Sequence, residues 1–585
     1  SKPQDTAASG SVAGTYEGTA AGRNGDIKVA VTLDENGTIT DIEVKEQSET
    51  EGVGTPAFDK LIPEMVEGNT VAVDAMATAT ITSEGLIEAV KNALTAAGVD
   101  LANYQTKTEA KKGEDTTYDV DVAIVGAGGA GMAAAASASE AGASVLVLEK
   151  TASIGGNTKL GEGTYNSADP ERQKNLTMND SNRAEVEEAL NVKTDDPEYQ
   201  ALLDDVRADY EAWQKNDGKT LFDSVNWHAL QTYIGGGSID NISLIRTYAE
   251  KAPETLTWLE DTIGVPFKSD YIFMAIGGKW ARGHQVDLVA ATGSEGDNGG
   301  RVYIDKLSEY ATARGAQIET NAKVVSLLVD DNGNVSGCEA ERSDGSKITV
   351  HAKSVILTTG GYAASSDLVL KYSNGAITTK LTSCATSSTG DGLALAENVG
   401  ANLANLDQIQ VHPLGDPIDD CGCVSEFVGN WLSATEYMFV NKEGKRFINE
   451  AIMDNTTYTG NSLLLQKKHM GISIIDSTIV DYYKKNGLDY ITYHHGITNL
   501  DNWEREKELY FSGAQSAGGN NVFASEDKEV SYGSDAQEHN FFECQTIEEI
   551  AEKTGVNLEN LKKTIEDYNA MCNGTQAGYD WQFTK

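Results

Sequence analysis

One stretch of this chain leaves little freedom in how it folds. DVDVAIVGAGGAGMAAAASASEAGASVLVLEK, residues 119–150, is a short apolar run, a glycine-rich turn, an alanine-rich run and a second apolar run ending on an acid. Read by period and breakers, that is strand, turn, helix, strand: one βαβ unit, which demands a parallel sheet and a helix packed across it. Its turn, Gly126-Ala127-Gly128-Gly129-Ala130-Gly131, fits G-x-G-x-x-G in the required strand-to-helix context. Gly126 makes the tight turn, Gly128 lets the backbone approach a pyrophosphate, and Gly131 lets the helix pack closely on the strand. Glu149, ending the second strand, is placed to accept from a ribose hydroxyl. The unit is therefore read as a Rossmann-like dinucleotide site.

A second glycine loop, Gly155-Gly156-Asn157-Thr158-Lys159-Leu160-Gly161-Glu162-Gly163, follows within a few residues of Glu149. Bare backbone amides so soon after the ribose acid suit a ligand longer than a nucleotide head, and this favours FAD over NAD. Residues 185–265 read as largely helical. AKVVSLLVDDNGNVSGCEAERSDGSKITVHAKSVILTTGG reads as a three-stranded meander returning to a buried strand. The reading assigns residues 118–404 to the FAD domain and 405–585 to a mixed domain of loops and helices.

With 585 residues the chain has room for about two to four domains. A net charge of −43 excludes nucleic acid and anionic membrane surfaces as partners, because phosphates would be repelled. The six cysteines contain no CxxC pair, which argues against an attached haem or a cysteine-ligated cluster, and no metal site is expected. No apolar run approaches the roughly 20 residues that span a bilayer. The polar start SKPQDTAASGSVAG resembles that of a mature exported lipoprotein, so an extracytoplasmic, lipid-anchored or secreted protein is expected.

Ahead of the βαβ unit, residues 12–100 read as a small α+β domain, followed by a charged linker at 101–117. Within it, VDAMATATITSEG carries an unusual density of hydroxyls. Thr78, Thr80 and Thr82 alternate with Ala79 and Ile81, which predicts one face of a short strand, before a helix over LIEAVKNAL.

Several motifs together carry a resemblance. GAGGAG, LEK, GGNTKL, TTGGY, Gly390-Asp391-Gly392, the stretch Gln408-Ile409-Gln410-Val411-His412-Pro413, and VNKEGKRFINE resemble, in this order, the soluble fumarate reductase and urocanate reductase flavoproteins. The resemblance implies noncovalent FAD in the Rossmann-like α/β domain and an α+β clamp domain over the substrate. Ala130, Glu149, Lys150, Asn157, Thr158, Gly163 and Asp391 are its expected FAD contacts, beside Gly126, Gly128, Gly131 and Gly156 of the two loops. Members of this family often carry an N-terminal FMN-binding domain, to which residues 14–98 are similar. Asp74-Ala75-Met76-Ala77-Thr78-Ala79-Thr80 fits the frame of its attachment motif, with Ala77 and Thr78 where Ser/Thr and Gly are usual. The implied cofactor is covalent FMN on Thr80, its phosphate beside the start of the following helix, where amides and dipole favour an anion.

The implied chemistry is hydride transfer from reduced flavin to a polarised C=C, with protonation of the neighbouring carbon. His412 occupies the position that holds the substrate carbonyl or carboxylate. Ser425 and Glu426 stand for the Thr-Glu pair of the proton path, Glu426 being its clearest survivor. The family arginine four residues after Asn449-Glu450 is Asp454 here, and the arginine after the Thr-Glu pair has no counterpart in FVGNWL. A dicarboxylate would be repelled, so the expected substrate is a neutral or singly charged enone, enoate or arylacrylate. Tyr437, Tyr458 and Glu162 are further candidate acids. The resemblance implies a return to the flavin domain after a segment like YNAMCNGTQAGYDWQF, beyond Lys585. The leading reading is a C=C reductase fed by an external electron donor, through FMN to FAD. Its rivals are a ketosteroid-type dehydrogenase running in reverse and an electron-transfer flavoprotein without a substrate of its own.

Overall fold

The computed structural model describes residues 12–23, 25–49, 54–76, 79–106, 112–216, 218–269, 271–274, 278–293, 299–378, 382, 384–411, 438–450, 456–474, 476–477, 542 and 544–572. The first unit is an antiparallel meander of β1 (Gly14–Ala21), β2 (Asp26–Leu33) and β3 (Ile39–Glu46). Alternation along β2 turns Ile27, Val29, Val31 and Leu33 into the core, where α1 (Pro56–Gly68) and α2 (Thr80–Ala96) cover them. Gly18 lets α2 lie directly on β1, since a Cβ there would stand 2.0 Å from the Ala89 carbonyl oxygen. Leu101–Tyr104 adds a 3-10 turn to this core: Tyr104 is buried, and its carbonyl accepts from Val71 N and Thr70 Oγ1, both at 2.8 Å.

Thr80 and Thr82 do not lie on a strand. Helix α2 already begins at Thr80, with Ala79 in non-helical geometry ahead of it. Ser83 decides the matter: its hydroxyl donates to the Ala79 carbonyl at 2.7 Å and accepts from Met76 N at 3.1 Å, closing the turn into the helix. The Thr82 hydroxyl donates to the Glu49 carboxylate, and Thr82, Ser83 and Glu49 are all buried. Alternating threonines satisfy a strand face or a first helical turn equally well, and tertiary bonds chose the second.

The second unit is built on a six-stranded sheet. β4 (Thr116–Val125), α3 (Gly129–Glu140) and β5 (Val145–Leu148) form the βαβ unit. A short strand β6 (Thr164–Asn166) follows, then a lobe of helices: α4 (Pro170–Gln173), α5 (Asp180–Leu190), α6 (Pro197–Asn216), α7 (Val225–Gly235) and α8 (Ile242–Thr257). A π-helical turn, Trp258–Ile263, extends α8. β7 (Gly283–Gln285) pairs antiparallel with β6, and α9 (Leu288–Thr292) and α10 (Gly299–Thr312) lead back to β8 (Gln317–Glu319), β9 (Ala322–Val329), β10 (Val335–Arg342) and β11 (Lys347–Leu357).

The sheet order is β8-β5-β4-β11-β10-β9, parallel from β8 to β11 and antiparallel beyond. The third strand of the meander and the returning strand are thus one strand, β11, which borders β4. One face of the sheet packs on α3 and α10 through Ile124, Val147, Met132 and Leu307; the other buries Val125, Leu148, Cys338 and Val350.

Past α11 (Ser366–Tyr372) and α12 (Asp391–Asn398), the described part of the last unit pairs β12 (Met438–Asn441) with β13 (Gly471–Ile474) around α13 (Thr456–Leu464). Two amphipathic helices follow, α14 (Ile547–Thr554) and α15 (Leu558–Cys572); Val556 between them and Leu561 of α15 join its core. Among the described residues no helix is long and apolar enough to cross a membrane.

Candidate functional site

At the carboxyl end of β4 the chain turns on Gly126, whose φ of 102° is a left-handed value that L side chains rarely adopt. A Cβ on Gly131 would stand 1.9 Å from the Gly126 carbonyl oxygen, so the first turn of α3 lies against the strand end. The Thr358 hydroxyl, at the end of β11, donates toward the same carbonyl at 2.8 Å. Gly128 differs from its neighbours: a Cβ there would meet only the Gly155 carbonyl, at 3.9 Å. Its side of the turn is open to an approaching group, and Ala130 on the next turn is exposed. A diphosphate fits this place, between a bare turn and the amino end of a helix of 12 residues.

The second loop folds back on the first. Gly155 N donates to the Ala127 carbonyl at 2.8 Å, and Thr158 Oγ1 accepts from Gly129 N at 3.2 Å. Gly156 lies alongside, its would-be Cβ 3.6 Å from Gly128 Cα. Gly163 ends the loop in contact with Gly299, and its carbonyl accepts from the Tyr303 hydroxyl at 3.1 Å. Burial pushes that hydroxyl far above its ordinary range, so it donates at any working pH. Glu149 is buried and clamps the turn: Oε2 accepts from Ala127 N at 2.9 Å, Oε1 from Thr151 N and Oγ1 at 2.8 Å each.

Lys150 and Asp391, 241 residues apart, meet as an ion pair of 2.6 Å, and Lys150 also reaches Thr389 Oγ1 at 2.7 Å. Burial works against the Asp391 charge, but Lys150 outweighs it and holds the carboxyl below its ordinary value. Asn157 reaches the same segment through Ser388 Oγ (2.9 Å) and Ala385 N (2.5 Å). The two glycine loops, Glu149, Lys150, Asn157, Thr158 and Asp391 are thus brought together around the carboxyl ends of β4 and β5.

Other parts of the sequence reading fall elsewhere. His412, Ser425, Glu426, Tyr437 and Asp454 lie outside the described residues, as does Thr78. Thr80 is placed as the first residue of α2. Tyr458 is partly exposed on α13, and Glu162 adjoins Gly163 in the flavin loop. Glu450 of the VNKEGKRFINE motif is fully buried, taking Arg446 Nε at 2.9 Å and Phe439 N at 3.2 Å, which makes it an anchor of the last unit.

Sequence reasoning missed the polar network beneath β6 and β7. Arg282 holds Asp223 through Nε (2.9 Å) and Nη2 (2.6 Å), both side chains buried. Burial, and then the nearby Arg282 charge, push His228 down to about 3. His284 and Asp169 bridge β7 to α4. The one local hint was Arg282 and His284 alternating at the start of a short strand, a spacing too common to act on.

A parallel sheet with a glycine turn, an acid on the next strand and a second glycine loop defines a dinucleotide-binding flavoprotein fold. A family model described as FAD binding domain matches residues 121–215 and 210–578, and another described as FMN-binding domain matches residues 22–95. The chain belongs to the FAD-binding family and carries an FMN-binding domain ahead of it. It is 29% identical over 604 residues to NADH:acrylate oxidoreductase of Vibrio harveyi, covering 98% of this chain and 53% of that protein. It is 28% identical over 570 residues to urocanate reductase of Eggerthella lenta, covering 97% of this chain and 78% of that protein. The chain therefore spans about half the length of the first relative and most of the second. The open conformation of a flavocytochrome c3 fumarate reductase superposes with a TM-score of 0.53 at 22% identity, over 83% of this chain and 69% of that one.

Proposed function

We propose that this chain is a two-flavin reductase of an activated carbon–carbon double bond, taking electrons from an external donor at FMN and passing them to FAD. The observation that carries the reading is the union of an FMN-binding and an FAD-binding domain in one chain, aligned over 98% of its length with a protein named for acrylate. Bound FAD supplies a hydride to the alkene. The chain's part is to hold the dinucleotide through Gly126, Gly128, Gly131, Glu149, Asn157 and Thr158, with Lys150 and Asp391 pinning the neighbouring segments. His412 orients the activating carbonyl or carboxylate, and Glu426 with Ser425 delivers the proton to the neighbouring carbon.

The substrate is neutral or singly charged, because Asp454 stands where fumarate reductases of the family place an arginine. Acrylate carries a single carboxylate, and urocanate joins one to an aromatic ring; both fit a site with fewer cations than a dicarboxylate requires. FMN is joined through its phosphate to Thr80, at the amino end of a helix of 17 residues.

Anaerobically reduced holoprotein is mixed with an acrylate, an arylacrylate, an enone and fumarate, and flavin reoxidation is followed by absorbance. Rapid reoxidation by the first three and little by fumarate is expected. Reduction of an oxidising dye by a saturated ketone, with no alkene reduction, turns the assignment to a dehydrogenase; no reoxidation at all turns it to an electron carrier. Intact mass after denaturation is expected to retain one FMN-sized increment, which Thr80→Ala removes.

A further inference from the structure

Beneath the flavin loop lies a chain of charged side chains for which the reductase reading has no use. His284 sits in the middle of β7 opposite Tyr165 of β6, with none of its surface exposed. Its Nδ1 is 3.1 Å from the Tyr165 carbonyl oxygen and its Nε2 is 3.2 Å from Asp169 Oδ2. A carbonyl oxygen can only accept. Asp169 also accepts at every turn: Oδ1 takes Glu171 N (3.1 Å) and Arg172 N (3.0 Å), and Oδ2 takes Arg172 Nη1 (2.8 Å). The His284 bond, ahead of the Arg172 contacts, holds this carboxyl far below its ordinary range against the cost of burial. Each ring nitrogen of His284 thus has a fixed partner, one on β6 and one at the start of α4.

We infer that His284, held at both ring nitrogens, is a positioning residue for strand β6 and the flavin loop that ends at Gly163. Asp169 faces it directly, Arg172 links Asp169 to Glu260 of the π-helical turn, and Arg282, just ahead of β7, is spent on Asp223. The path from Glu260 through Arg172 and Asp169 to His284 resembles a proton relay, but it ends on the Tyr165 carbonyl, which has no proton to pass onward. The arrangement is therefore a brace. What it braces is the flavin side: β6 begins one residue after Gly163. Phe267 packs edge-on against His284 (6.4 Å), Tyr165 (6.4 Å) and Tyr303 (5.9 Å), whose hydroxyl holds the Gly163 carbonyl.

The inference relies on the functional reading only for the identity of the ligand, and its first test does not involve the ligand at all. In full-length holoprotein, backbone amide exchange of residues 163–166 is followed in wild type and in His284→Gln. Exchange about tenfold faster in the variant is expected, and an unchanged rate overturns the inference. The second test is FAD release. Asp169→Asn, which keeps the shape and removes the charge, is expected to speed FAD dissociation about tenfold, the scale of one lost charge-assisted hydrogen bond, with FMN content unchanged. A wild-type dissociation rate in Asp169→Asn overturns the positioning role. Asp169→Asn keeps the shape of the side chain, so the second test stands even where His284→Gln folds poorly.

Discussion

The glycine turn at 126–131 and the threonine stretch at 78–83 look alike on paper. Each is a run of small residues leading into a helix, and each belongs to a flavin-binding domain. They differ in what holds them. At Gly126 and Gly131 of the glycine turn, geometry excludes every other residue: Gly126 has a φ of 102°, and Gly131 has a carbonyl 1.9 Å from where a Cβ would be. At the threonine stretch nothing is excluded. Its conformation is chosen by hydroxyl bonds, from Ser83 to Ala79 and from Thr82 to Glu49, a residue 33 positions away. A pattern enforced by exclusion can be read one residue at a time, whereas one chosen by attraction depends on partners the local sequence does not name.

The largest effect expected from this contrast is at Gly131. A methyl group there meets backbone, which cannot swing aside, so Gly131→Ala should cost at least the roughly 1–3 kcal/mol of an overpacked core and abolish FAD retention. Gly235→Ala, at the end of α7 with nothing within 4 Å, is the control and should leave melting temperature and FAD content unchanged. Released FAD per chain and thermal melting measure both. Full FAD content in Gly131→Ala would break the distinction, because the turn would then have slack.

Next in size is Thr82. Thr82→Val keeps the volume and removes the donor to a buried carboxylate, so it should destabilise the FMN-binding unit by about 1–3 kcal/mol, the cost of an unsatisfied buried group. Glu49→Gln restores an uncharged acceptor in nearly the same place and should cost less. Denaturant melts of the two variants check the order. An unchanged melt for Thr82→Val would mean that the stretch is fixed by its own helix propensity after all.

The same distinction explains how much of the molecule was legible. The βαβ unit, the meander and the helical lobe follow from periodicity and breakers, and the two glycine loops come together where the motifs put them. The error at Thr80 came from treating alternation as a strand signal next to ITSEGLIEAV, where helical period was already present. The brace at His284 was not readable, because Asp169 lies 115 residues away and neither residue belongs to a motif. Tyr303 escaped for the same reason: its role is a bond to the Gly163 carbonyl, 140 residues off. Thr358 could have been found, since it stands in TTGGY directly after a buried strand that must border β4. For catalysis the sequence named residues, but His412, Glu426 and Asp454 lie outside the described part, and their roles rest on the resemblance and on charge.

The smallest effect falls on a contact that shares features of both regions. Lys150 and Asp391 were both picked out from motifs, yet the ion pair joining them spans 241 residues and is held by attraction alone. Both side chains are a quarter exposed, so the pair should contribute only about 1 kcal/mol at neutral pH. Asp391 has its folded pKa below the ordinary value of 3.8, which fixes the sign. The contribution is complete above that ordinary value and disappears as pH falls through the lower, folded one. Asp391→Asn should therefore melt a few degrees below wild type at pH 7, and the gap should close in strong acid. A gap that persists there would show that the substituted amide disturbs the amino end of α12 sterically, and that this segment, like the glycine turn, is held by exclusion.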